Sequence, residues 1–223
     1  MGNWIELSAD DGHTFKAWEA RPPAAPRGAL IVAPEIFGIN SHIRSVADGY
    51  AAEGYLVLAP ALFDRAQRGF EVGYTQADVD AGRALMTKLS IGNALLDLAA
   101  TARHLRPAGP VAIVGFCWGG TLAWAAAARL PGLAAAIAYY GGGLPGLIDE
   151  KPACPMMCHF GEHDQHPTLE QARAIAAAHP QVESFFYPAG HGFNCEQRGS
   201  YHEASARLAR SRTVDFLARH MTR

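Results

Sequence analysis

Six short runs of the chain are apolar at nearly every position rather than at alternate ones: Ala29–Ala33, Tyr55–Ala59, Val111–Gly115, Ala134–Tyr140, Met156–Phe160 and Ser184–Tyr187. A strand wetted on one face alternates apolar and polar residues. Unbroken runs therefore indicate strands buried on both faces, as in a parallel sheet covered by helices. Between them apolar residues recur at helical spacing. Ile43, Val46, Ala47, Tyr50 and Ala51 form one stripe, with Asn40 or Ser41 as cap and Gly54 as stop. Leu95, Leu98, Ala99, Ala102 and Leu105 repeat the pattern after Asn93, and Leu169, Ala172 and Ala176 mark another helix. A last helix sets Ala206, Ala209, Thr213, Phe216 and Leu217 against Arg207, Arg210 and Asp215. Ahead of these, Trp4–Leu7 and Thr14–Trp18 flank Asp10-Asp11-Gly12, which predicts an antiparallel hairpin at the sheet edge. The Pro-rich Arg21–Arg27 stretch is too short for an interdomain linker and reads as a surface loop. The β-then-α succession predicts an α/β fold with a doubly wound, mostly parallel sheet, and one domain over residues 1–223.

Composition narrows the function classes. Of the 223 residues, 49% are hydrophobic and 18% charged, values of a folded globular chain. The formal net charge is -2, with no polybasic run, so neither a nucleic-acid nor a membrane partner is expected. Met1–Asp11 lacks the basic start and apolar core of a signal peptide, and the apolar run Leu122–Ala128 is far too short for a membrane span. A cytoplasmic enzyme that takes a small molecule is the expectation.

The chemistry concentrates in Val111–Gly120, VAIVGFCWGG, where a buried strand runs into Gly-Phe-Cys-Trp-Gly and an Ala-rich helix follows from Thr121. This is the pattern of a nucleophile elbow carrying sulfur. Such a turn is strained, its glycines let neighbouring chains approach closely, and the helix N-terminus favours negative charge on sulfur and on an oxyanion. Cys117 is the candidate nucleophile. An acid and a histidine should follow in that order, each in a loop after a strand. Asp164 follows the 156–160 run and His191 the 184–187 run. Glu35, just after the first buried run, would sit at the mouth of the site near Cys117, and the Ile36 and Trp118 backbone N–H groups would form the oxyanion hole. His163, Asp164 and His166 share one short loop without the spread of a metal site, so no metal and no cofactor are expected. Cys154 and Cys158 read as packing thiols on one strand face, and His13, His42, His104, His179, His202 and His220 as surface or hydrogen-bonded histidines. Trp118, Phe37, Tyr139, Tyr140 and Phe193 are candidate pocket walls.

These segments resemble the dienelactone hydrolases (carboxymethylenebutenolidases) of the α/β-hydrolase superfamily. The likeness runs through DDGHTF, APEIFG, GFCWGG, AYYG, GEHD and AGHGF to the final helix. It implies an α/β-hydrolase fold, a triad at Cys117, Asp164 and His191, and a glutamate at Glu35 that hydrogen-bonds the resting thiol. It also implies opening of an ester or enol-lactone through a thiol-ester. Family arginines that grip a substrate carboxylate are not matched in place: Cys195 and Val79 stand there, with Arg198 and Arg83 nearby as substitutes and Tyr74 as a further substrate contact. Two other readings stay open: a ligand-binding protein without catalysis, and a thiol redox sensor pairing Cys117 with Cys195.

Overall fold

The computed structural model describes residues 2–221. Each unbroken apolar run is a strand, with ends shifted by a residue or two. After the hairpin β1 (Asn3–Ser8) and β2 (Thr14–Ala20) come β3 (Gly28–Ala33), β4 (Tyr55–Pro60), β5 (Val111–Phe116), β6 (Ala135–Tyr139), β7 (Met156–Gly161) and β8 (Glu183–Tyr187). They form one sheet in the order β1-β2-β4-β3-β5-β6-β7-β8. β3 to β8 are parallel, and β2 runs antiparallel to both neighbours, leaving β1 at the edge.

The helices are α1 (Ser41–Ala52), α2 (Gln76–Met86), α3 (Ile91–Leu105), α4 (Trp118–Arg129), α5 (Leu169–Ala178) and α6 (Glu203–His220). Alternate residues of β3 show why its sequence is apolar throughout. Ala29, Ile31 and Ala33 face the apolar cluster that includes Leu98 of α3 and Trp124 of α4. Leu30 and Val32 face a second apolar cluster on the other side, which includes Tyr50 of α1. Each of the larger side chains, Leu30, Ile31 and Val32, contributes roughly 1.5–3 kcal/mol on leaving water. Asp97 of α3, fully buried, is answered by the Arg65 fork at 2.7 and 2.8 Å, which ties the loop after β4 to α3. The pattern along the chain did not predict α2. It has a thin buried edge, Gly82 and Leu85, and a Thr75–Asp78 capping box. Leu85 joins Ile36, Phe37, Phe63 and Phe70 in a small cluster above the carboxyl ends of the strands. Among the described residues no helix is long and apolar enough to cross a membrane.

Candidate active site

The turn between β5 and α4 holds Cys117 at φ 54°, in the left-handed region that few side chains adopt. Such strain persists only where the surroundings fix it. The Cys117 N–H donates to the Tyr139 carbonyl and the Gly119 N–H to the Pro34 carbonyl, both at 3.0 Å. A Cβ on Gly119 would run into the Ala33 and Pro34 carbonyls, and one on Gly115 into the Gly119 carbonyl. Only glycine lets the three chains approach this closely. The helix starts at Trp118, three residues before the predicted Thr121, so the sulfur sits directly at its positive end. Neither the Trp118 nor the Ile36 N–H has a hydrogen-bond partner among the described residues, and both residues border the cavity over Cys117.

Asp164 and His191 stand on the loops after β7 and β8. The buried Asp164 carboxylate accepts from the His166 N–H at 2.8 Å and from His191 Nδ1 at 2.8 Å, which leaves Nε2 for Cys117. Burial of the ring opposes its charged form. The Cys117 sulfur charge and the Asp164 carboxylate outweigh that and lift His191 to about 10. An imidazolium at this position is favoured by Asp164 and by any negative charge on the neighbouring sulfur. Tyr140, fully buried at φ 39°, packs edge-on against the His191 ring at 5.1 Å.

Glu35 departs from what the resemblance implied. It is fully buried, and no Glu35–Cys117 hydrogen bond exists among the described residues. Oε1 instead accepts from Arg198 Nη1 at 2.9 Å, while Oε2 has no partner. Arg198 lies over the Phe37 ring at 5.6 Å, in space that a side chain on Gly192 would occupy.

A cavity of about 910 Å³ opens above Cys117. Ile36, Val79, Met86, Leu89, Ile91 and Leu147 give it an apolar wall, and Arg83 and Arg198 bring cationic groups. Such a shape, mostly apolar with a few convergent polar groups, suits a small organic ligand. Phe37 and Trp118 border it as expected, and so do His163, Gln165 and His166, which were not expected to.

Three of the expected pocket aromatics lie elsewhere. Tyr139 is buried on the α6 side, where its hydroxyl meets Thr213 Oγ1 at 2.7 Å beside the buried, neutral His159. Tyr140 and Phe193 are fully enclosed behind His191. Tyr74 also misses the cavity: it packs on Phe37, its hydroxyl accepts from Asn40 Nδ2 at 3.1 Å, and it reaches the Cys195 sulfur. Cys154 precedes β7 rather than sharing a strand face with the buried Cys158. His163, Asp164 and His166 do not converge as metal donors. Among the described residues that arrangement belongs to Glu35, His42 and Cys195. His42, expected at the surface or fully hydrogen-bonded, is buried with Nε2 unpartnered.

The sheet order, the sulfur-bearing elbow and the acid and histidine on the following loops define an α/β-hydrolase. The family model described as the dienelactone hydrolase family matches residues 15–221, and the chain belongs to that family. It is 37% identical, over 79% of its own length and 80% of the relative's, to a protein of Synechocystis sp. provisionally named a carboxymethylenebutenolidase. To the carboxymethylenebutenolidase of Pseudomonas putida it is 30% identical, covering 96% of this chain and 95% of that one. The crystal structure of a provisionally assigned dienelactone hydrolase from Klebsiella pneumoniae superimposes with a TM-score of 0.82 at 32% identity, covering 98% and 99% of the two chains. The chain is a hydrolase acting on esters or lactones.

Proposed function

We propose that the enzyme opens small esters and enol-lactones through a thiol-ester on Cys117. The observation that carries this reading is the meeting of the Cys117 sulfur, the His191 ring and the Asp164 carboxylate under one cavity. The negatively charged sulfur attacks the carbonyl carbon. The carbonyl electrons move onto oxygen, which the Ile36 and Trp118 N–H groups stabilise. Collapse breaks the C–O bond, and the His191 imidazolium gives its proton to the departing enolate. With the sulfur acylated, its charge is gone and His191 is a neutral base. It takes a proton from water as the water attacks the thiol-ester, releasing the acid and restoring the thiolate.

Arg198 and Arg83 border the cavity and supply an anchor for a substrate carboxylate. A carboxylate arriving at Arg198 competes with Glu35 for the guanidinium, which frees Glu35 to turn toward the sulfur. Thiolates suit activated leaving groups better than amides, so peptides rank low as substrates. The redox-sensor reading is disfavoured, because Cys195 is fully buried and burial pushes its thiol up to about 11. We further infer one domain and, from four cysteines that are all free, a reducing cytoplasmic setting. The test is a panel of enol-lactones and activated aryl esters with the wild type and Cys117→Ser. Wild-type turnover no faster than buffer across the panel would remove the proposal.

A further inference from the structure

Behind the active site, outside its cavity, lies a second cluster of reactive side chains. Glu35 follows β3, His42 opens α1, and Cys195 sits in the turn after His191. All three are buried, and one donor atom from each lies within 4.8 Å of the other two. Ligand atoms around a tetrahedral ion bound at about 2.0–2.3 Å lie roughly 3.3–3.8 Å apart, so a small inward movement would complete such a shell.

The same residues carry two buried atoms without a partner, Glu35 Oε2 and His42 Nε2. His42 Nδ1 meets a Glu196 carboxylate oxygen at 2.8 Å, and a carboxylate only accepts, so the ring proton sits on Nδ1. Nε2 is the ring atom left over, buried and without a partner, as is Glu35 Oε2. The single Cys195 S–H can serve only one of them. Buried polar atoms without partners are costly and call for an explanation.

A cation answers both at once, and the surroundings suit one. A metal-binding histidine usually donates its other N–H to a carboxylate, as His42 does to Glu196. Asn40 donates to the Tyr74 oxygen, which leaves the Tyr74 proton for the Cys195 sulfur. One nitrogen, one oxygen and one sulfur donor select a borderline-soft ion over calcium or magnesium. We propose that Glu35, His42 and Cys195 bind one divalent ion of the zinc class, with water completing the shell. On binding, Cys195 releases its proton to solvent and the metal–sulfur bond forms. The ion and Arg198 are then balanced by the charges of Glu35, Glu196 and Cys195. The bound ion would hold Glu35 turned away from Cys117. The inference does not rest on the hydrolytic reading.

The experiment uses the full chain stripped with chelator and titrated with cobalt(II), then zinc(II). It reads the thiolate-to-cobalt charge-transfer absorption and the metal content per chain. One ion per chain is expected in wild type and in Cys117→Ser. The band should vanish in Cys195→Ser, and affinity should drop about 10–100-fold in Glu196→Gln, whose carboxylate only orients the ligand. Folding of each variant is checked by circular dichroism. Absence of the band in folded wild-type protein overturns the proposal, whatever the variants do. A band that survives Cys195→Ser but is lost in Cys117→Ser also overturns it, because the ion would then sit on the elbow thiol.

Discussion

Replacing Cys117 by alanine should change the acidity of His191 while leaving its hydrogen bond to Asp164 in place. In the intact site burial works against the imidazolium, and the Cys117 charge is the largest influence that overcomes it, ahead of Asp164, bringing the ring to about 10. An opposite charge at this range moves a pKa by about 1–3 units. The alanine variant should therefore titrate at about 7–9, with each unit equivalent to about 1.4 kcal/mol of lost attraction. The assay is an NMR titration of the His191 ring in wild type and Cys117→Ala, assigned with a His191→Gln variant. The result bears on the proposed mechanism, in which acylation of Cys117 would remove the same sulfur charge. If the pKa falls, the first chemical step itself converts His191 from acid to base. A value still near 10 in the alanine variant would refute the reasoning, since the acyl-enzyme would then hold no base at neutral pH.

Arg83 borders the cavity from an exposed position, so Arg83→Ala should raise KM about tenfold (~1.4 kcal/mol) for carboxylated substrates and hardly at all for neutral esters, measured by steady-state kinetics. Because the raised pKa keeps His191 protonated up to about 10, single-turnover acylation should hold through neutral pH and fall as pH rises through that value. A fall near the ordinary histidine value would contradict the pairing. Gly119→Ala drives a methyl group into the Ala33 and Pro34 carbonyls, and should cost about 1–3 kcal/mol in urea unfolding and slow alkylation of Cys117. Asp97→Asn takes the buried charge from Arg65, which keeps its pair with Asp11, and should cost about 1–3 kcal/mol in the same measurement.

The strands were legible because burial on both faces forces unbroken apolar runs, and β3 to β7 are buried along their whole length. The elbow was legible because its strain and close approaches demand glycine at Gly115 and Gly119. Helix α2 was not, because only Gly82 and Leu85 are buried and its apolar stripe is thin, although the Thr75–Asp78 cap was there to be read. Which face of β6 carries Tyr139 depends on register against α6, and no local pattern reports it. The Glu35–Arg198 and His42–Glu196 pairs join residues far apart in the chain, so their partners emerge only in the fold.

The most direct measurement is intact-mass analysis of the enzyme, quenched within its first turnover of an activated aryl ester and then digested to locate the adduct. The account predicts one acyl group per chain, attached to Cys117 and absent from Cys117→Ala. Rapid turnover by Cys117→Ala, or an acyl group on any other residue, would contradict it.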